Sequence, residues 1–173
     1  MSLTLLAAAP FPLFLLLGAG SDMARYLIPN RFSVGLICAF FVAFLVSGLG
    51  WQALGDHLLT GALALVFGFA LFALRLWGAA DGKFLPAALI WFGSDTALTA
   101  VVYITLAGGV LSLLAFLLRK LLRAWPILTL ASPSMRRLAN AKQAHAPYGA
   151  AIALGSLLAF PQSDLFRALA GLI

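Results

Sequence analysis

Long apolar runs separated by short polar linkers occupy most of this chain. The residues within each run are almost continuously apolar, which is typical of helices surrounded by lipid or protein. A β-barrel would need short segments of alternating polar and apolar residues. We therefore predict an all-α protein. The apolar runs are Leu3–Gly20, Phe32–Trp51, Leu58–Trp77, Phe84–Phe92, Ala97–Leu118 and Tyr148–Phe160.

The lengths of the runs do not by themselves fix the number of membrane crossings. A helix needs about 20 residues to span the hydrocarbon core of a bilayer. The first, second, third and fifth runs are long enough, whereas the fourth and sixth are short. For the fourth run to cross, its helix must begin upstream of Phe84, which brings Asp81 and Lys83 into its first turns. The sixth helix must likewise begin near His145 or Pro147.

The positions of the basic residues favour six crossings. If every run crosses, ten of the eleven Lys and Arg residues lie on one side, and Arg167 is the exception. Cytoplasmic loops are enriched in Lys and Arg. We therefore predict a single domain over residues 1–173, a polytopic membrane protein with six transmembrane helices and both termini on the outer, periplasmic side. Ser134–Lys142 is predicted to form a basic amphipathic helix on the inner leaflet.

The composition excludes several classes of protein. Hydrophobic residues make up 64% of the chain and charged residues 9%, which is too few charges for a soluble domain. The net charge is +6, and the basic residues lie between the apolar runs. This position indicates contact with membrane lipid and not with nucleic acid. Cys38 has no partner, and His57 and His145 have no nearby Cys or Glu. We expect no metal site and no cofactor.

All five acidic residues are aspartates, and two of them are candidates for chemistry. Asp22 and Asp81 both fall on the predicted inner side, where they can meet and share a water molecule. Such a pair divides the roles of general base and general acid. An ion pair of each aspartate with a nearby basic residue would account for them equally well. The candidate pairs are Asp22 with Arg25 and Asp81 with Lys83.

The remaining aspartates have simpler interpretations. Asp56, Asp95 and Asp164 fall on the predicted outer side, in turn or cap contexts, and we expect them to be solvated. Asn30 is predicted to cap the second helix, and Ser163-Asp164 to cap a short final helix after Pro161.

Three motifs resemble those of the type IV prepilin peptidases, a family of GxGD intramembrane aspartyl proteases. Asp22 stands six residues before Ile28-Pro29-Asn30, and Asp81 lies in Gly78-Ala-Ala-Asp-Gly-Lys83. Pro147-Tyr148-Gly149 resembles the family's closing segment. The resemblance implies that Asp22 and Asp81 are the catalytic pair. It also implies prepilin or pseudopilin substrates with a basic leader, and a location in the bacterial inner membrane.

Two departures from the family pattern refine this expectation. Ala80 replaces the second Gly of the Gly-x-Gly-Asp motif. The chain also lacks the four-cysteine zinc insert of the larger members, which methylate the new N-terminus as well. It is therefore similar to the short, peptidase-only branch that serves tight-adherence (Flp-type) pili, with no methyltransferase activity expected.

Other interpretations stay open from the sequence. A transporter or proton-relay subunit would carry acidic residues within the membrane. A non-catalytic scaffold of a secretion machine would not depend on the aspartates at all. Lipoprotein signal peptidase also has paired aspartates, but its motifs do not occur in this chain. Lys83 either favours ionisation of Asp81 or extends to a lipid headgroup, and we favour the headgroup.

Overall fold

The computed structural model describes residues 3–25, 27–125 and 148–173, and every regular element in these ranges is helical. The predicted amphipathic helix at Ser134–Lys142 and the predicted start of the last helix at His145 or Pro147 lie outside the described ranges. The α-helices are α1 (Leu3–Leu6), α2 (Pro10–Arg25), α3 (Asn30–Ser47), α4 (Trp51–Ala73), α5 (Asp81–Leu89), α6 (Gly93–Ala124), α7 (Tyr148–Ala159) and α8 (Asp164–Leu169), with a 3₁₀ turn at Phe160–Gln162.

Four helical segments in the described ranges are long and apolar enough to cross a membrane. They are Thr4–Arg25, Asn30–Ser47, Trp51–Ala73 and Gly93–Ala124. They correspond to the first, second, third and fifth apolar runs, so the prediction that these four are long enough to cross is confirmed. Six crossings and the orientation of the termini stay predictions.

Helix α5 is short and lies inside the bundle. Its nine residues rise about 14 Å, against about 30 Å for a hydrocarbon core. All of its residues from Phe84 to Leu89 are buried. Because protein surrounds it, its ends can lie within the membrane without exposing backbone polar groups to lipid. Gly93, with a φ of 66°, then turns the chain directly into α6.

A cluster of aromatic rings anchors the C-terminal end of α5. The fully buried Trp91 packs against Phe11, with ring centroids 4.8 Å apart, and its indole N–H donates to the Leu36 carbonyl at 3.1 Å. His57 Nδ1 of α4 donates to the Ile90 carbonyl at 2.7 Å. These two bonds satisfy polar groups that would otherwise be costly to bury. They fix the end of α5 between α3 and α4.

Several predicted helix boundaries need correction. The first apolar run ends at Gly20, but α2 continues to Arg25, so Asp22 lies in its last turn. Asp56 and His57 lie within α4, which begins at Trp51. Asn30 is the first residue of α3 and makes no capping hydrogen bond. The predicted Ser163 cap is confirmed, since its Oγ accepts from the Phe166 N–H at 3.2 Å.

Candidate active site

Asp22 is held by the start of a helix that is remote in sequence. Its side chain is 7% exposed, and its Oδ2 accepts a hydrogen bond from the backbone N–H of Gly149, at 2.8 Å. Gly149 lies in the first turn of α7, where helix N–H groups have no partner within the helix. A Cβ on Gly149 would lie 2.9 Å from Asp22 Oδ2 and 2.7 Å from Ile28 Cδ1. Only glycine therefore fits this contact without movement.

Asp81 is the first residue of α5, so the prediction that it lies in the first turn is confirmed. Its carboxylate lies next to Gly78, where a Cβ would be 3.1 Å from Asp81 Oδ2. Ala80, which stands where the family motif has glycine, has φ −68° and ψ −46°. This is ordinary right-handed helical backbone that alanine adopts without strain. The Ala80 substitution therefore costs nothing in backbone geometry here.

Close contact between two helices positions Asp81. A Cβ on Gly68 of α4 would lie 2.9 Å from the Gly82 carbonyl oxygen, so the two backbones nearly touch. Small residues at a crossing allow this approach between helices in membranes. On the other side of α5, Lys83 Nζ donates to Asn30 Oδ1 of α3 at 2.8 Å. The start of α5 is therefore fixed between α3 and α4.

The start of α7 contacts the surroundings of both aspartates. Gly149 binds Asp22, and Tyr148 packs against Trp77, four residues before Asp81. Asp81 lies outside the four long helices, and burial raises its pKa to about 6, with a further contribution from the negative charge of Asp22. A buried carboxyl group resists ionisation, and a nearby like charge adds to that resistance. Asp22 and Asp81, from α2 and α5, therefore lie at the same end of the bundle and make up the candidate site. We call the end of the bundle that contains them the aspartate end.

The ion pairs left open by the sequence are not formed among the described residues. Asp81 makes no ion pair with Lys83. Asp22 accepts a hydrogen bond from the Gly149 N–H and makes no ion pair with Arg25. The side chain of Lys83 binds Asn30, a contact that the sequence interpretation missed. Asn30 and Lys83 are the last residues of the two motifs, which was the available signal, but their contact depends on how α3 and α5 pack.

The three other aspartates do not join the site. Asp56 lies 12 residues before Gly68 along α4, about 18 Å of helix away from the aspartate end. Its Oδ2 accepts from the Ser94 N–H at 2.7 Å and so satisfies the start of α6. Asp95 and Asp164 lie in the first turns of α6 and α8. Within the described ranges, no three His, Cys, Asp or Glu side chains cluster as metal ligands would.

Comparison with known proteins identifies the family of this chain. The model of the type IV leader peptidase family matches residues 9–113, more than half of the 173 residues. The matched range contains both Asp22 and Asp81, whereas Gly149 lies beyond it. No curated protein and no solved structure gave a significant match. With its matched range spanning α2 to α6, this chain belongs to the type IV leader peptidase family.

Proposed function

We propose that this protein is an aspartic endopeptidase that removes the basic leader of Flp-type prepilins at the cytoplasmic border of the inner membrane. Asp22 and Asp81 are its catalytic pair. The family supports a prepilin leader peptidase in general. The main support for their role is that the start of α7 brings both to one end of the bundle, since Gly149 binds Asp22 and Tyr148 packs against Trp77. The negative charge of Asp22 also contributes to the raised pKa of Asp81.

In this mechanism the two aspartates share one water molecule between them. One carboxylate accepts a proton from the water, while the protonated partner donates a hydrogen bond to the scissile carbonyl. The proton then passes to the leaving amine. The pair titrates as a unit, so the shared proton belongs to the two carboxyl groups together. The Gly149 N–H fixes one oxygen of Asp22 and thereby the direction of its carboxylate.

The proposed placement in the membrane uses all six helical segments. The four long helices span the bilayer, and the short α5 and α7 complete the alternation of direction with protein packed around them. This arrangement puts the aspartate end on the cytoplasmic side, as the basic residues predict. A prepilin leader would reach the pair from the cytoplasm, with its scissile bond extended so that water can attack it.

A cleavage assay tests the proposed function. The purified protein in lipid vesicles is incubated with an Flp-type prepilin and, separately, with a prolipoprotein. Mass spectrometry should show the prepilin shortened by its leader, with a free and unmethylated new N-terminus, and the prolipoprotein intact. An uncut prepilin, or a cut prolipoprotein, would refute the assignment.

The dependence of cleavage on pH tests whether the pair works with one shared proton. The active form carries one proton, and that proton is lost as pH rises through the raised pKa of Asp81, about 6. We therefore expect kcat/KM to be high below this value and to fall above it, because kcat/KM reports the ionisation of the free enzyme. A profile measured from about pH 5 to pH 8 that is flat, or that rises throughout, would contradict the mechanism with one shared proton.

A further inference from the structure

A large apolar cavity runs along the outside of the bundle between α4 and α6. Its volume is about 810 Å³. Thr60 and Ser94 line it far from the aspartate end, the buried α5 contributes Leu85, and Trp77 and Tyr148 line the other end. None of the described residues that line it is charged. We call this cavity the α4–α6 groove.

The groove matches a membrane-spanning helix in length. Along α6 its lining extends from Ser94 to Ser112, which corresponds to about 27 Å of helix. The hydrocarbon core of a bilayer is about 30 Å thick. Two apolar side chains of the lining, Leu63 and Phe67, are 62% and 58% exposed. The surface therefore offers apolar contacts over almost the whole depth of the membrane.

The groove ends beside the candidate catalytic pair. Tyr148 and Trp77 face each other there, with ring centroids 6.1 Å apart. Tyr148 directly precedes Gly149, whose N–H binds Asp22. A chain cut at the aspartates must pass its apolar portion into the bilayer next to them. The groove is a surface of the described residues that continues from the site in that direction.

One glycine in the groove has no role in the packing of the bundle. A Cβ on Gly109 of α6 would have no atom within 4 Å, whereas a Cβ on Gly155 of α7 would overlap the backbone of Ile104. Gly155 is thus required by the contact between α6 and α7. Gly109 instead leaves open space in the groove, and small residues at such positions let a second helix approach closely.

We propose that the α4–α6 groove binds the apolar transmembrane helix of the substrate and so presents the leader junction to Asp22 and Asp81. This inference rests on the proposed peptidase function and adds to it the surface that recognises the helical part of the substrate. The absence of charge suits an apolar helix, and the position of the groove suits one whose cytoplasmic end is being cut. Recognition then depends on both parts of the substrate, the junction and the helix.

Filling the groove tests the proposal. Gly109→Leu places a side chain in the open space, and we expect kcat/KM for a prepilin with an apolar helix of about 20 residues to fall about tenfold or more. Gly55→Leu is the matched control, because Gly55 is also an exposed helical glycine with no atom within 4 Å of its Cβ, and it lies outside the groove. Its rate should stay within about twofold of the wild type. Equal rates for Gly109→Leu and wild type would overturn the proposal.

Cross-linking tests whether the substrate helix lies in the groove, even if Gly109→Leu disturbs the fold. Gly109→Cys is combined with Cys38→Ser, which removes the native cysteine, and single cysteines are placed along the apolar helix of the prepilin. Disulfides at every third or fourth substrate position would support a helix in the groove. No cross-link, or a cross-link only between two copies of this chain, would overturn the proposal. If the wild type cleaves no prepilin at all, the proposed function fails, which is a distinct result.

Discussion

Asp81→Asn and Asp22→Asn are each expected to lower kcat/KM for prepilin cleavage by about 10³-fold or more, because each removes a group that transfers a proton in the reaction. Asparagine keeps the size and shape of the side chain. At Asp22 it also keeps an oxygen that accepts from the Gly149 N–H, so the packing of α7 on α2 is preserved. The fraction of prepilin processed in membranes measures the loss, and the level of inserted protein shows that the fold survives.

The double variant tests whether the aspartates act as a unit. If both serve one water molecule, Asp22→Asn combined with Asp81→Asn is about as inactive as either single variant, since groups that act together are strongly non-additive. Asp95→Asn is the matched control, because Asp95 is exposed in the first turn of α6 and belongs to neither the site nor the groove. Substantial processing by either single variant, or loss of processing in the control, would refute the catalytic assignment.

Gly149→Ala is expected to reduce cleavage about tenfold to a hundredfold with little loss of folded protein. The added methyl group would lie 2.9 Å from Asp22 Oδ2 and 3.0 Å from its Cβ, so the carboxylate must move away from the Gly149 N–H. A displacement of this kind turns the carboxylate away from the water that it shares with Asp81. The effect acts through Asp22, which makes Gly149 a positioning residue.

A nearby glycine provides the control for this substitution. Gly20 lies two residues before Asp22 on α2 and is exposed, and a Cβ added to it would have no atom within 4 Å, so Gly20→Ala should cleave at the wild-type rate. Both kcat/KM and its pH profile are measured. If Gly149→Ala moves the Asp22 carboxylate, the pH at which kcat/KM falls should shift. A general loss of stability would instead lower kcat/KM equally at every pH. Wild-type kinetics in Gly149→Ala would show that the contact does not position Asp22.

The apolar pattern was sufficient to predict the helical class and the long helices. When lipid surrounds a continuous apolar run, its backbone N–H and C=O groups can form their hydrogen bonds only within a helix. The pattern was less successful at the ends of helices, where polar residues were assigned to linkers. Asp22 and Asp56 both lie inside helices. Each is stabilised there because its carboxylate accepts a hydrogen bond from a backbone N–H group at the start of another helix.

The candidate site was predicted from motifs, and its construction was not. Asp22 and Asp81 were chosen by their resemblance to a family and by their shared side of the membrane. The sequence interpretation placed Asn30 as a helix cap and Lys83 at the lipid headgroups, whereas the two bind each other. A cap depends on local backbone geometry, but this bond depends on the packing of α3 beside α5, which no local pattern encodes.

The sequence by itself determined that lipid surrounds this protein, that it is helical, and which two aspartates to test. These conclusions depend on hydrophobicity and charge within short stretches of the chain. Only the tertiary structure decided which groups meet. Glycines at Gly68 and Gly82 bring α4 and α5 into backbone contact, and the start of α7 supplies the N–H that holds Asp22, 127 residues away. Such contacts depend on the close fit of whole helices, and that fit is a property of the assembled bundle.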